Sequence, residues 1–196
     1  NFNNMKLIAY LISQFLHPFT VEIFTFLFLC ITSTENGSDI RIVIISILPG
    51  ILVLVSALYL KYTGQLSDYN GMIRDERLLL ISLGAIYHGI GFFILNYYNA
   101  PQLILGLMFC YALNTAIVWV ITNKWKISIH AIGLGGPLVA FWFNGIQYPI
   151  LMLSLMIILC LSRIVLKAHT PMQVIVGSLF SLSFAYFQLK YLFLML

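Results

Sequence analysis

The sequence predicts an all-α protein: a polytopic transmembrane helical bundle of about six to seven spans, organised as a single membrane domain over residues 1–196. Three observations carry this expectation. Hydrophobic side chains make up 61% of the chain and charged ones 8%, where a soluble domain carries about a quarter charged residues. The mean hydropathy is +0.99. The apolar runs approach or exceed the roughly 18 residues that mark a candidate span, and short polar stretches separate them. No linker, low-complexity segment or internal repeat divides the chain. The formal charge of +4 is small and forms no nucleic-acid footprint, so the expected partners are membrane lipids and not nucleic acid. Cys30, Cys110 and Cys160 lie inside apolar runs and read as small buried hydrophobes, not as disulfide partners or metal ligands.

Asn1-Phe2-Asn3-Asn4 precede Met5-Lys6, the pair that looks like a translation start. Residues 5–16 form a short apolar segment, interfacial or re-entrant, with no small-residue cleavage site after it. His17-Pro18 ends it, because the residue before proline is disfavoured in helical conformation. Residues 18–32 make a short first span with Glu22 near its start. A carboxylate there reads either as an interfacial or internally paired group or as a site acid. Residues 33–39 are a polar turn, and residues 40–60 the second span. The longest polar stretch, Lys61 to Arg77, contains Asp68, Arg74, Asp75 and Glu76. Residues 78–97 and 102–122 are the third and fourth spans, joined by a turn with interfacial tyrosines. A second polar stretch, 123–130, leads to a fifth span at 130–146. There Gly133, Gly135 and Gly136 permit close helix approach, and Pro137 introduces a kink. Residues 150–166 and 171–193 are the last two spans.

An even number of crossings separates Arg77 from Lys124, and again His130 from Arg163. Three polar stretches, around Arg74/Arg77, Lys126/Ser128/His130 and Arg163/His169, are therefore expected on one face of the bundle, as a site requires. The opposite face takes Glu35, Asp39, Arg41 and Lys190. The excess of cations would place the motif face in the cytoplasm, unless those cations bind substrate.

The stretch Ser162 to Gln173 is the most informative. Thr170-Pro171-Met172-Gln173 is a helix start: threonine as N-cap, proline at the first helical position, glutamine at the third. His169 then sits beside the positive end of a helix, where an anion is favoured. Arg163 supplies a planar fork suited to phosphate oxygens. A neutral imidazole held through its other nitrogen can attack phosphorus, and a second histidine, His130, can protonate the leaving oxygen.

These residues resemble the phosphatidic acid phosphatase type 2 superfamily, membrane relatives of the vanadium haloperoxidases. Ser162-Arg163, five residues and His169 match its third motif. Ile127-Ser128-Ile129-His130 keeps the serine and histidine of its second. Arg74 or Arg77 is what remains of its first, with no proline following. The resemblance covers roughly residues 60–195 and implies a haloperoxidase-like helical core.

It also implies an integral-membrane phosphatase or phosphotransferase acting on a lipid phosphate or diphosphate. His169 would be the nucleophile forming a phosphohistidine and His130 the general acid. Arg163, Ser128 and one of Arg74 or Arg77 would hold the phosphate, with neither metal nor cofactor. Three departures stand out. Gln173 occupies the place of the aspartate that orients the nucleophile. Asn70 replaces the lysine of the first motif, a charge that Lys126 can supply from elsewhere. Ile129 replaces the glycine of the second motif.

Each piece also has a plain reading. His130 can be an interfacial histidine, Arg163 and Lys167 can snorkel from a span end, and Gln173 can simply cap a helix. The departures motivate an alternative: a catalytically degenerate member serving as a structural or lipid-binding subunit of a membrane complex. Paired discontinuous helices or repeated halves of the transporter kind are not evident. The expected location is an integral membrane position in a bacterial inner membrane.

Overall fold

The computed structural model describes residues 2–33, 38–66 and 74–195, with the side chains of these apart from Phe2 and residues 74–76. Glu35, Asp68, Asn70 and the side chain of Arg74 thus lie outside the described residues. Among the described residues every regular element is helical. In chain order these are α1 (Phe2–Phe15), α2 (Pro18–Thr32), α3 (Ile40–Tyr62), α4 (Arg74–Tyr97), α5 (Gln102–Thr122), α6 (Ile129–Phe143), α7 (Pro149–Val165) and α8 (Pro171–Phe187). A π-helical turn, Gln188–Phe193, continues α8.

Local chemistry sets the boundaries. His17 is extended (φ −67°, ψ 139°) before Pro18, and α1 and α2 meet there at a 41° bend. The Asp39 carboxylate accepts from the Arg41 amide at the start of α3. Ser128 caps α6 by accepting from the Ala131 amide. Thr170 and Gln173 form a complete capping box at the start of α8. Each such cap contributes about 1 kcal/mol.

α3, Arg77–Tyr97 of α4, α5 and Pro171–Phe193 are long and apolar enough to cross a membrane; the bent α1–α2 pair makes a fifth if taken as one span. This is the signature of a membrane helical bundle. The count differs from the six to seven expected because α6 and α7 have only 15 and 17 residues. They rise about 23 and 26 Å, against a hydrocarbon core of about 30 Å.

The main core gathers Phe26 and Leu29 of α2, Ile104, Leu107 and Met108 of α5, and Leu189 of the π turn. Small residues bring the site-bearing helices together. A Cβ on Gly135 would collide with Ser181 of α8, and one on Gly133 would stand 2.8 Å from Pro18 of α2. α6 is thereby held tightly between α8 and the α1–α2 bend. The outer faces are apolar, with Ile31, Phe93 and Ile150 more than two-thirds exposed, as a surface facing lipid would be.

Candidate functional site

The site forms where the start of α4, the loop before α6, the end of α7 and the start of α8 meet. Arg77, in the first turn of α4, is 2% exposed, and its Nη2 donates to the Ile127 carbonyl at 2.6 Å. That bond ties α4 to the loop carrying Lys126 and Ser128. Ser128 is buried; its amide donates to the Gln173 carbonyl at 3.3 Å, joining α6 to α8. Lys126 is half-buried on the same side. Partial burial and the guanidinium groups of Arg77 and Arg163 hold its ammonium below the ordinary lysine range.

α7 and α8 are joined by a link that Arg163 organises. The Arg163 carbonyl accepts from the amides of Ala168 at 3.0 Å and His169 at 3.4 Å. Lys167 takes the left-handed conformation (φ 55°) that closes such a helix end. The backbone carbonyl of residue 163 thus fixes where His169 sits after the turn. Its side chain is buried, and Nη1 donates to the Ser13 hydroxyl at 2.7 Å.

His169 is 9% exposed. Its Nδ1 stands 3.1 Å from Oε1 of Gln173, an oxygen that also accepts from the Thr170 amide at 3.1 Å. An amide oxygen can only accept, so Nδ1 carries the proton and Nε2 the lone pair. Burial and the charges of Arg77, Arg163 and Lys126 push the His169 pKa down to about 3, against the opposing effect of its hydrogen bond to Gln173. The imidazole is therefore neutral at physiological pH.

His130, in the first turn of α6, is 4% exposed. Its Nε2 is buried without a hydrogen-bond partner among the described residues. The ring of His17, at the α1–α2 bend, meets it edge-on with centroids 5.0 Å apart. Both histidines, with Arg77, line a cavity of about 140 Å³ that continues between α2, α4 and α5. Arg163 and His169 stand outside that lining.

Arg77, Lys126, Ser128, His130, Arg163, His169 and Gln173 thus come from four separate parts of the chain to one end of the bundle. The sequence reading did not name Ser13, His17 or His88 as site residues. Ser13 lies in the last turn of α1 and His17 in the extended link after it; what they touch is set by the bend. Glu22 turns out to be internally paired, with His88 of α4. Among the described residues, no three His, Cys, Asp or Glu side chains form a group that could hold a metal ion. A buried cationic site of this kind suits an anion.

No protein-family model, curated protein or solved structure matches this chain.

Proposed function

We propose that the protein is a multi-pass integral-membrane phosphatase or phosphotransferase of the phosphatidic acid phosphatase type 2 kind. Its substrate is a lipid phosphate or diphosphate, and its setting a bacterial inner membrane. The observation that supports this reading is the state of His169: a neutral imidazole with Nδ1 held by Gln173 and the lone pair on Nε2, near the charges of Arg77, Arg163 and Lys126.

In this mechanism Nε2 of His169 attacks phosphorus, and the bond to the ester oxygen breaks. Arg77, Arg163, Lys126 and Ser128 stabilise the charge that builds on the phosphoryl oxygens. His130 protonates the departing alkoxide. A water then attacks the phosphohistidine, the P–N bond breaks, and His130 takes the water proton. The lipid tail remains in the bilayer while its head enters at the motif face.

Phosphate release from lipid phosphates by the purified protein tests this, with His169→Ala and His130→Ala as controls. Release by the unaltered protein, lost in His169→Ala, is the expected result. Equal release from all three, or none from any, contradicts it.

A second reading has one specific observation in its favour. Ser13 already holds the Arg163 guanidinium, and Gln173 offers His169 no charge. A scaffold subunit of a membrane complex that binds lipid heads without turnover accounts for both. It predicts lipid phosphate binding that survives His169→Ala.

A further inference from the structure

Arg77, Ile81, Gly84 and His88 recur at helical spacing on α4, so they share one stripe of the helix. All four line the cavity beneath the site. Eleven residues at about 1.5 Å each put His88 roughly 16 Å deeper than Arg77 along this helix. The cavity therefore joins the phosphate end of the bundle to a second polar centre far inside it.

That centre is a built one. Nε2 of His88 and Oε1 of Glu22 are 2.9 Å apart, with the residues 4% and 3% exposed. α3 makes room for the carboxylate at Gly50, where a Cβ would stand 2.7 Å from Glu22 Oε1. The ring of Tyr111 stacks on the imidazole with centroids 5.1 Å apart. Ionisable groups so deep in a membrane bundle are costly to retain without a use, and the phosphohistidine route above uses neither.

The hydrogen bonds fix what the pair holds. Nδ1 of His88 is 2.6 Å from the Gly84 carbonyl. A carbonyl only accepts, so Nδ1 bears a proton. The contact between Nε2 and the carboxylate then needs one further proton, on the nitrogen or on the oxygen. The pair stores one transferable proton in either form. The 140 Å³ of cavity between it and His130 has room for about four waters, and Tyr111, Asn114 and Thr115 offer them polar partners along the wall.

We propose that Glu22 and His88 are the proton store for His130. This rests on the phosphatase reading and deepens it. His130 is buried, and a seated lipid closes the mouth of the site to bulk water. The stored proton passes along the cavity to His130, which gives it to the ester oxygen as the P–O bond breaks and the bond from His169 Nε2 to phosphorus forms. In the second half the attacking water gives its proton to His130, and it returns to the pair. Protons balance over the cycle. Glu22 and His88 touch no substrate; they act through His130.

The leaving group separates this role from a structural one. An alkoxide from a lipid phosphate needs a proton to depart; 4-nitrophenolate does not. Glu22→Gln is expected to lower lipid phosphate turnover roughly tenfold or more while leaving 4-nitrophenyl phosphate turnover unchanged. Equal loss on both substrates, or no loss on either, overturns the proposal. A measurement on the unaltered protein guards against a variant that fails to fold. Lipid phosphate turnover in mixtures of light and heavy water is expected to show a curved dependence on deuterium content, from several protons in flight; absence of an isotope effect overturns the proposal. If the unaltered protein hydrolyses neither substrate, the phosphatase reading falls and this inference with it. If it hydrolyses both and the split is absent, only this inference falls.

Discussion

Oε1 of Gln173 accepts from the Thr170 amide and meets Nδ1 of His169, both at 3.1 Å. One oxygen closes the cap of α8 and fixes the tautomer of the imidazole beside it. Capping and orienting, alternatives on the sequence, are the same arrangement. Gln173→Ala is expected to cost about 1 kcal/mol of stability through the lost cap and to lower turnover as well. Thr170→Ala should cost about as much stability and largely spare turnover, because Gln173 keeps its contact with His169. Thermal unfolding alongside phosphate release checks the pair of variants.

The low proton affinity of His169 makes stability depend on pH. Its pKa falls from the ordinary 6.5 to about 3 on folding, so between these values the unfolded chain binds the proton and the folded one does not. The stabilising effect is fully present above about 6.5 and is lost progressively as pH falls toward 3. Thermal unfolding should therefore drop from pH 7 to pH 4, with a shallower drop in His169→Gln. Parallel curves for the two proteins would contradict this assignment.

Nη1 of Arg163 donates to the Ser13 hydroxyl of α1 at 2.7 Å. Ser13→Ala removes an acceptor from a buried donor, a change that costs about 1–3 kcal/mol. A bound phosphate oxygen can take the vacated position on the guanidinium. Inorganic phosphate should therefore raise the unfolding temperature of Ser13→Ala more than that of the unaltered protein. Equal shifts would mean that Arg163 does not face the anion.

Neighbouring glycines of α6 should behave in opposite ways. A Cβ on Gly135 would collide with Ser181, while one on Gly136 would meet Leu107 at an ordinary 3.5 Å. Gly135→Ala is expected to destabilise the bundle by about 1–3 kcal/mol through overpacking against α8. Gly136→Ala should be neutral, or stabilise by up to about 1 kcal/mol from helix propensity. Unfolding of the two variants in the same detergent checks both.

Much of the fold was legible because the signals were local. Pro18 and Pro171 with their preceding residues, the Thr170 cap, the polar turns and the lengths of the apolar runs place nearly every helix end close to where the structure has it. The span count was less legible, since hydropathy marks an apolar run without fixing how long a helix forms in it, and α6 and α7 are short. Within the site, Arg163, His169 and Gln173 could be read together because one short stretch of the chain holds them. Ser13 and His17 could not, because their contacts depend on a bend that returns α1 to α7. Nor could His88: its partner Glu22 is 66 residues away, and nothing in either local stretch identifies the other.

The central claim is that His169 forms a covalent bond to phosphorus. Rapid mixing of the purified protein with a phosphorus-labelled lipid phosphate, quenched in alkali and followed by peptide mass spectrometry, tests it most directly. The account predicts a base-stable, acid-labile phosphoryl group on the peptide carrying His169, absent from His169→Ala and lasting longer in His130→Ala. Phosphate release without any phosphorylated His169, or label on another residue, would contradict it.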